Sequence, residues 1–187
     1  MNKTAIIAVD LLYDFTNPNG KVYYPENEAI LENVETLLQS ARAHGKLVVF
    51  LRHEYRKGKP DANLQGMREC CIEGTKGVEI DERLSVSDAD YLVKKRRYSG
   101  FFGTDLDLIL KEHGIENVIV VGTKTNNCVN ATALDSHYRD YKTYVVAECV
   151  ATNDAAAQEV YLRDIDRYIG KVLSLEETLK AFESGDL

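Results

Sequence analysis

Asp10, Lys95 and Cys128 are the residues of this 187-residue chain whose types and placement could do chemistry at a carbonyl. Cys128 lies in "VIVVGTKTNNCVNATALDS", where an apolar run passes into a helical pattern. A thiol in the first turn of a helix meets unpaired N–H groups and the positive end of the macrodipole, both of which favour a thiolate. The same N–H groups could hold the oxyanion that forms when sulfur attacks a carbonyl. Taken by itself, a cysteine in such a setting is more often a small buried residue. Asp10 follows the apolar run "TAIIAV" and, alone, suits a turn cap as well as proton transfer. Lys95 belongs to Lys94-Lys95-Arg96-Arg97, which alone reads as solvated surface charge. A strand-end lysine beside a carboxylate and a thiol would instead hold both as anions. Asp14 lies further along its loop and reads as a structural hydrogen-bonding residue, and Cys149 as a structural cysteine.

These three residues need elements that bring them to one place. Short β-branched runs alternate with longer amphipathic stretches, the pattern of parallel βαβ units. "TAIIAV", "KLVVFL", "DYLVKK", "NVIVVG", "KTYVVA" and "KVLS" read as six strands. Helices are expected over about residues 26–44, 104–114 with Thr104 as N-cap, 126–139 and 154–168, and after a Ser174/Glu177 capping box. Residues 52–88 form a long, irregular, mixed-charge segment of the kind that carries function or short helices. The fold class is α/β: one three-layer α/β/α domain over residues 1–187, Rossmann-like, on a six-stranded, mostly parallel sheet. In open α/β sheets ligands bind beyond the carboxyl ends of the strands. Asp10, Lys95 and Cys128 all lie at or just past such ends.

Composition narrows the field. Hydrophobic residues make up 44% and charged residues 28%, ordinary for a globular chain, and a net charge of −7 argues against nucleic acid as partner. No window approaches the ~20 apolar residues of a membrane span. The four cysteines lack disulfide-scaffold density, and with no export signal the chain reads as cytoplasmic. "GTKT" lacks the spacing of a phosphate-binding loop, and no G-x-G-x-x-G follows the first strand. No cofactor is expected. His44 and His113 sit at helix ends, and His137 is nine residues beyond Cys128. That leaves His53, at the end of the second strand, as the histidine that could line a pocket.

Three separated segments, "AIIAVDLLYDF", "VKKRRYSGFFGTDLDLIL" and "VIVVGTKTNNCVNATALDSHYRDYKTYVV", together resemble the isochorismatase-like cysteine hydrolases, in order and spacing through nearly the whole chain. That superfamily includes nicotinamidases, N-carbamoylsarcosine amidases and ureido-type amidohydrolases. The resemblance implies Asp10, Lys95 and Cys128 as a catalytic triad. It also implies a non-proline cis peptide at Thr123–Lys124, the N–H groups of Lys124 and Cys128 as an oxyanion hole, and a homo-oligomer, dimer or tetramer. The family's usual opening D-x-Q-N-D-F is altered here, with Leu12 and Tyr13 in the middle.

Nicotinamidases carry a metal on a D-x-H motif at the end of the second strand and on a later histidine. This chain has "RHEY" at the first place and Cys70 at the second. No metal is therefore expected, which disfavours nicotinamide, although His53, Glu54 and Cys70 leave open a site of different composition. The implied function is cleavage of a small carboxamide or N-carbamoyl compound through a thioester, with release of ammonia or an amine. Phe15, Tyr98 and Phe102 are expected as pocket walls, with His53 among them. Arg52, with Arg97 and Tyr55, is expected to read a substrate carboxylate. The alternatives are nicotinamidase chemistry, a vinyl-ether hydrolase without an acyl-enzyme, and a non-catalytic binding protein that retains the fold.

Overall fold

A computed structural model of the chain describes residues 3–64 and 69–187. The six expected strands are β1 (Thr4–Val9), β2 (Leu47–His53), β3 (Tyr91–Lys95), β4 (Asn117–Thr123), β5 (Lys142–Ala151) and β6 (Lys171–Leu173). They form a single sheet in the order β3-β2-β1-β4-β5-β6, every neighbouring pair parallel. Strand β1 is buried along its whole length, which is why it reads as an uninterrupted apolar run and not as an alternating one.

The helices are α1 (Tyr13–Thr16), α2 (Pro25–Ala29), α3 (Leu31–Ala43), α4 (Leu106–Glu112), α5 (Asn130–His137), α6 (Ala155–Asp164) and α7 (Leu175–Ser184). Successive β1 residues point to opposite faces. Ala5, Ile7 and Val9 enter a core with Leu106, Ile109 and Leu110 of α4 and Ala133 of α5. Ile6 and Ala8 enter a second core with Val34, Leu37 and Leu38 of α3 and Phe182 of α7. The three-layer expectation is met, and no helix among the described residues is long and apolar enough to cross a membrane.

Several element boundaries differ from the sequence reading. The expected helix over 26–44 breaks at Ile30 into α2 and α3. The helix over 104–114 begins at Leu106, with the Thr104 hydroxyl accepting the Leu106 N–H at 3.3 Å from two residues back. The helix over 126–139 opens as a wide π turn, Thr125–Val129, that contains Cys128, and the helix over 154–168 ends in another, Ile165–Ile169. Periodicity of apolar residues does not separate a π turn from an α turn, because both place the same residues inward over one turn. The Ser174/Glu177 capping box is present. The irregular segment after β2 holds a short 3₁₀ turn, Lys76–Val78, and its residues 65–68 lie outside the described ones.

The chain leaves β1 toward β2 and β3 on one side, and β4, β5 and β6 lie on the other, so the crevice between the carboxyl ends of β1 and β4 is the topological switch point. Gly122 lets those two strands meet there. Its φ is 112°, and a Cβ at that position would sit 2.1 Å from the Val9 carbonyl oxygen. Gly122→Ala is expected to cost about 3 kcal/mol or more, from overpacking together with a conformation that L-residues avoid. A urea-unfolding midpoint within error of the parent's would contradict this.

Candidate active site

Each strand end at the crevice delivers one functional group. Asp10 follows β1 with φ 52°, a left-handed conformation uncommon for a residue other than glycine. Its backbone N–H continues the sheet to the Leu51 carbonyl at 3.1 Å. Its carboxylate is thereby aimed across the end of β2, where Oδ1 accepts the His53 N–H at 3.0 Å. His53 and Lys95 are register partners on β2 and β3 and lie on the same face. The Lys95 side chain runs along that face to Asp10, giving an ion pair of 2.7 Å between Nζ and Oδ2 with both side chains fully buried. The ammonium also donates to His53 Nδ1 at 3.2 Å and to the Arg97 carbonyl at 3.1 Å. Lys95 is therefore no part of a solvated patch, whereas its neighbour Lys94, on the opposite face, is exposed.

Cys128 completes the cluster from the π turn after β4. Ligand-type atoms of Asp10, His53 and Cys128 all lie within 4.8 Å of one another. The Thr132 hydroxyl donates to the Cys128 carbonyl at 2.7 Å and accepts the Gly100 N–H at 3.0 Å, fixing the turn to the loop after β3. The Thr123–Lys124 peptide is cis. Thr123 Oγ1 donates to Asn27 Oδ1 at 2.6 Å, and Asn27 Nδ2 donates to the Phe15 carbonyl at 3.1 Å, so one fully buried asparagine ties the β4 end to the β1 loop. Asn27 carries no signal in the sequence beyond a position near a helix start.

The electrostatics follow from burial opposed by pairing. Burial pushes the Asp10 carboxyl up, but the Lys95 ammonium and His53 outweigh it and hold it below its ordinary value. Burial pushes Lys95 down, and Asp10 and Cys128 more than restore it. His53 is lowered, mainly by burial. The Cys128 thiol is pushed up to about 12, by burial first, with Lys95 pulling it down and Asp10 pushing it up. The direction is opposite to the expected depression of the thiol pKa: desolvation at a buried position exceeds the pull of the Lys95 ammonium. Cys128 thus stands as a thiol beside the Asp10 carboxylate. Alkylation of Cys128 by iodoacetamide at pH 7.5 is accordingly expected to be slower than that of free cysteine, and a faster rate would contradict the assignment.

A cavity of about 150 Å³ opens on Cys128, walled by Phe15, Tyr24, His53, Tyr55, Tyr98 and Asn127 among others, Cys70 and Lys124 included. Phe15, His53 and Tyr98 thus stand where they are expected. Phe102 does not: it is 64% exposed and lines a separate surface depression with Arg96 and Arg97. Arg52 is also absent from the cavity wall. Strand alternation sends it with its register partner Lys94 to the other face, where Glu54 takes Arg52 at 2.8 Å and Lys94 at 2.7 Å. Arg97 pairs with Asp61 at 3.0 Å. Asp14 has the structural role expected of it, accepting the Cys71 N–H at 2.7 Å and the Lys21 N–H at 3.2 Å. Cys149 is buried in the core of the opposite face.

The donors where nicotinamidases carry their metal do not suit one here. Glu54 is engaged by two cations, Arg52 and Lys94. Asp10, His53 and Cys128 have the right donor types, but the Lys95 ammonium already occupies the cationic position between Asp10 and His53.

Comparison with known proteins agrees with this architecture. The maleamate amidohydrolase of Pseudomonas putida is 27% identical over 183 residues, covering 95% of this chain and 86% of that protein. The N-carbamoylsarcosine amidase of an Arthrobacter species is 26% identical over 191 residues, covering 98% of this chain and 72% of that protein. The crystal structure of an isochorismatase-like hydrolase from Alkaliphilus metalliredigens superposes with a TM-score of 0.91 at 31% identity, covering 96% of this chain and 99% of the other. The family model described as the isochorismatase domain matches residues 4–177, and the chain belongs to the isochorismatase family.

Proposed function

We propose that the protein is a cysteine-dependent amidohydrolase that cleaves a small carboxamide or N-carbamoyl compound and releases ammonia or an amine. The observation that carries this reading is the fully buried Asp10–Lys95 pair, 2.7 Å apart, beside Cys128 at the wall of a small cavity. A carboxylate kept ionised in a dry site next to a neutral thiol is placed to take its proton.

As Sγ bonds to the substrate carbonyl carbon, the Cys128 proton passes to Asp10 and the C=O electrons move onto oxygen. The N–H groups of Lys124 and Cys128 hold that oxyanion. Collapse of the tetrahedral species breaks the C–N bond, and Asp10 returns the proton to the leaving nitrogen. Asp10 then takes a proton from the water that attacks the thioester, and Cys128 leaves as the thiol. Lys95 stays protonated throughout and keeps Asp10 a carboxylate until it accepts each proton.

The cavity, about 150 Å³ and walled largely by aromatic rings, fits a compact planar acyl group and no polymer. The names of relatives that act on maleamate and on N-carbamoylsarcosine support an amide or ureido substrate. The test is ammonia release by the purified protein from a panel of maleamate, N-carbamoylsarcosine, nicotinamide and short aliphatic amides. Turnover of at least one is expected, and inertness toward every carboxamide and ureido compound tried would defeat the reading.

A further inference from the structure

The chain leaving β2 lines two concavities. His53 and Tyr55 line the cavity beside Cys128, whereas Glu54 and Arg56, alternating with them, line the surface depression that holds Phe102. After β3, Arg96 and Arg97 likewise belong to the depression and Tyr98 to the cavity, and the two share no lining residue. The depression has a volume of about 450 Å³, and Arg56, Arg96 and Arg97 also line an adjoining hollow of about 230 Å³. Together the two are lined by five cations and three carboxylates, on a chain whose net charge is −7. Two of those carboxylates are already engaged, Glu54 by Arg52 and Lys94, and Asp61 by Arg97. Arg56 and Arg96 have no carboxylate partner among the described residues, and Arg96 is half-buried. Like charges gathered this way repel one another, and a half-buried guanidinium has lost water without gaining a counter-ion. Phe102, 64% exposed in the same wall, belongs to no hydrophobic core of the described residues.

We infer that this depression is a binding site, separate from the substrate cavity, for a phosphorylated ligand with a planar ring, of the nucleoside diphosphate class. Arg56 and Arg96 present planar sets of donors that match phosphate oxygens, and Arg97, held by Asp61, adds charge to the same wall. Phe102 offers an open aromatic face on which a ring can stack. A hollow of this volume takes a small molecule. A phosphate group seated there supplies the counter-charge that the two arginines lack. The inference does not rest on the amidohydrolase reading, because it uses no residue of the Cys128 cavity and is tested by binding alone.

Calorimetry at low ionic strength with ADP, pyrophosphate and adenosine separates the phosphate contribution from that of the ring. ADP is expected to bind one to one, and at least about fivefold more tightly than either pyrophosphate or adenosine. Arg56→Gln and Arg96→Gln should each weaken ADP binding about tenfold or more. Both variants should unfold thermally at or above the parent's midpoint, since each removes one of several like charges. Phe102→Ala should bring ADP to within about twofold of pyrophosphate. Lys124→Gln, in the wall of the Cys128 cavity, should leave ADP affinity within about twofold of the parent's. No saturable binding of ADP, an affinity unchanged by both arginine substitutions, or ADP no tighter than pyrophosphate or adenosine would overturn the assignment. So would loss of ADP binding in Lys124→Gln, which would put the ligand in the substrate cavity. Unfolding midpoints well below the parent's in both arginine variants would also overturn it, by making these side chains supports of the fold. If ADP behaves as expected and the parent hydrolyses no amide, the amidase reading fails while this site stands.

Discussion

Lys95→Met is expected to cost about 3–5 kcal/mol of folding stability at pH 7 as well as the activity, because it strands Asp10 as a buried carboxylate without its counter-ion. Methionine keeps most of the apolar stem, so the loss belongs to the charge and not to a cavity. The pH dependence carries the sign of the effect. In the parent, Asp10 is held below its ordinary value. It therefore contributes stability that is present above the unfolded value of about 4 and is lost as pH falls through the folded one. In Lys95→Met the first opposing influence is gone and burial raises Asp10 above its unfolded value. Its contribution is then complete only below about pH 4 and is lost as pH rises through the raised value. The stability gap between the two proteins should narrow between pH 7 and pH 4.5. Urea unfolding at the two values decides it: a gap below about 1 kcal/mol, or one that does not change with pH, would refute the account of this pair.

The second large effect is on rate. Cys128→Ala should reduce amide hydrolysis by on the order of 10⁴-fold or more, as expected when a covalent nucleophile is removed. Stability should change little, within about 1 kcal/mol, since only one sulfur atom leaves a well-packed site. Thermal unfolding and steady-state ammonia release on the same preparation separate the two. A variant that folds normally and keeps more than a tenth of the parent rate would exclude an acyl-enzyme and would favour direct attack by water.

Much of this site is written at strand ends. Apolar runs in β1, β2 and β4 and an alternation toward the end of β3 are enough to bring Asp10, His53, Lys95 and Cys128 to one edge of the sheet. The side of the strand on which a residue falls is also a sequence property: period-two alternation puts Lys95 on the face of Val93, and Arg52, the register partner of Lys94, on the opposite face with Phe50. The expectation that Arg52 reads a substrate used chemical type and not that alternation. Phe102 was out of reach for another reason: the loop after β3 has no period, so nothing local says which of its aromatic rings turns inward.

The protonation state of Cys128 was illegible for a third reason. A position in a first helical turn reports the dipole and the free N–H groups, but desolvation depends on how the β1 and β3 loops close over the thiol, and that is a tertiary quantity. Asn27 is likewise a long-range clamp between two loops whose partners, Phe15 and Thr123, lie 12 and 96 residues away. No local pattern marks it.

The central claim is that Cys128 becomes covalently acylated. It is tested most directly by mixing the protein with a hydrolysed carboxamide, quenching in acid within the first turnovers and measuring the intact mass. The account predicts an added mass equal to the substrate less the released ammonia or amine, located on the peptide that contains Cys128, discharged by hydroxylamine and missing from Cys128→Ala. Release of ammonia with the protein mass unchanged at every time point, and with equal release by Cys128→Ala, would contradict it.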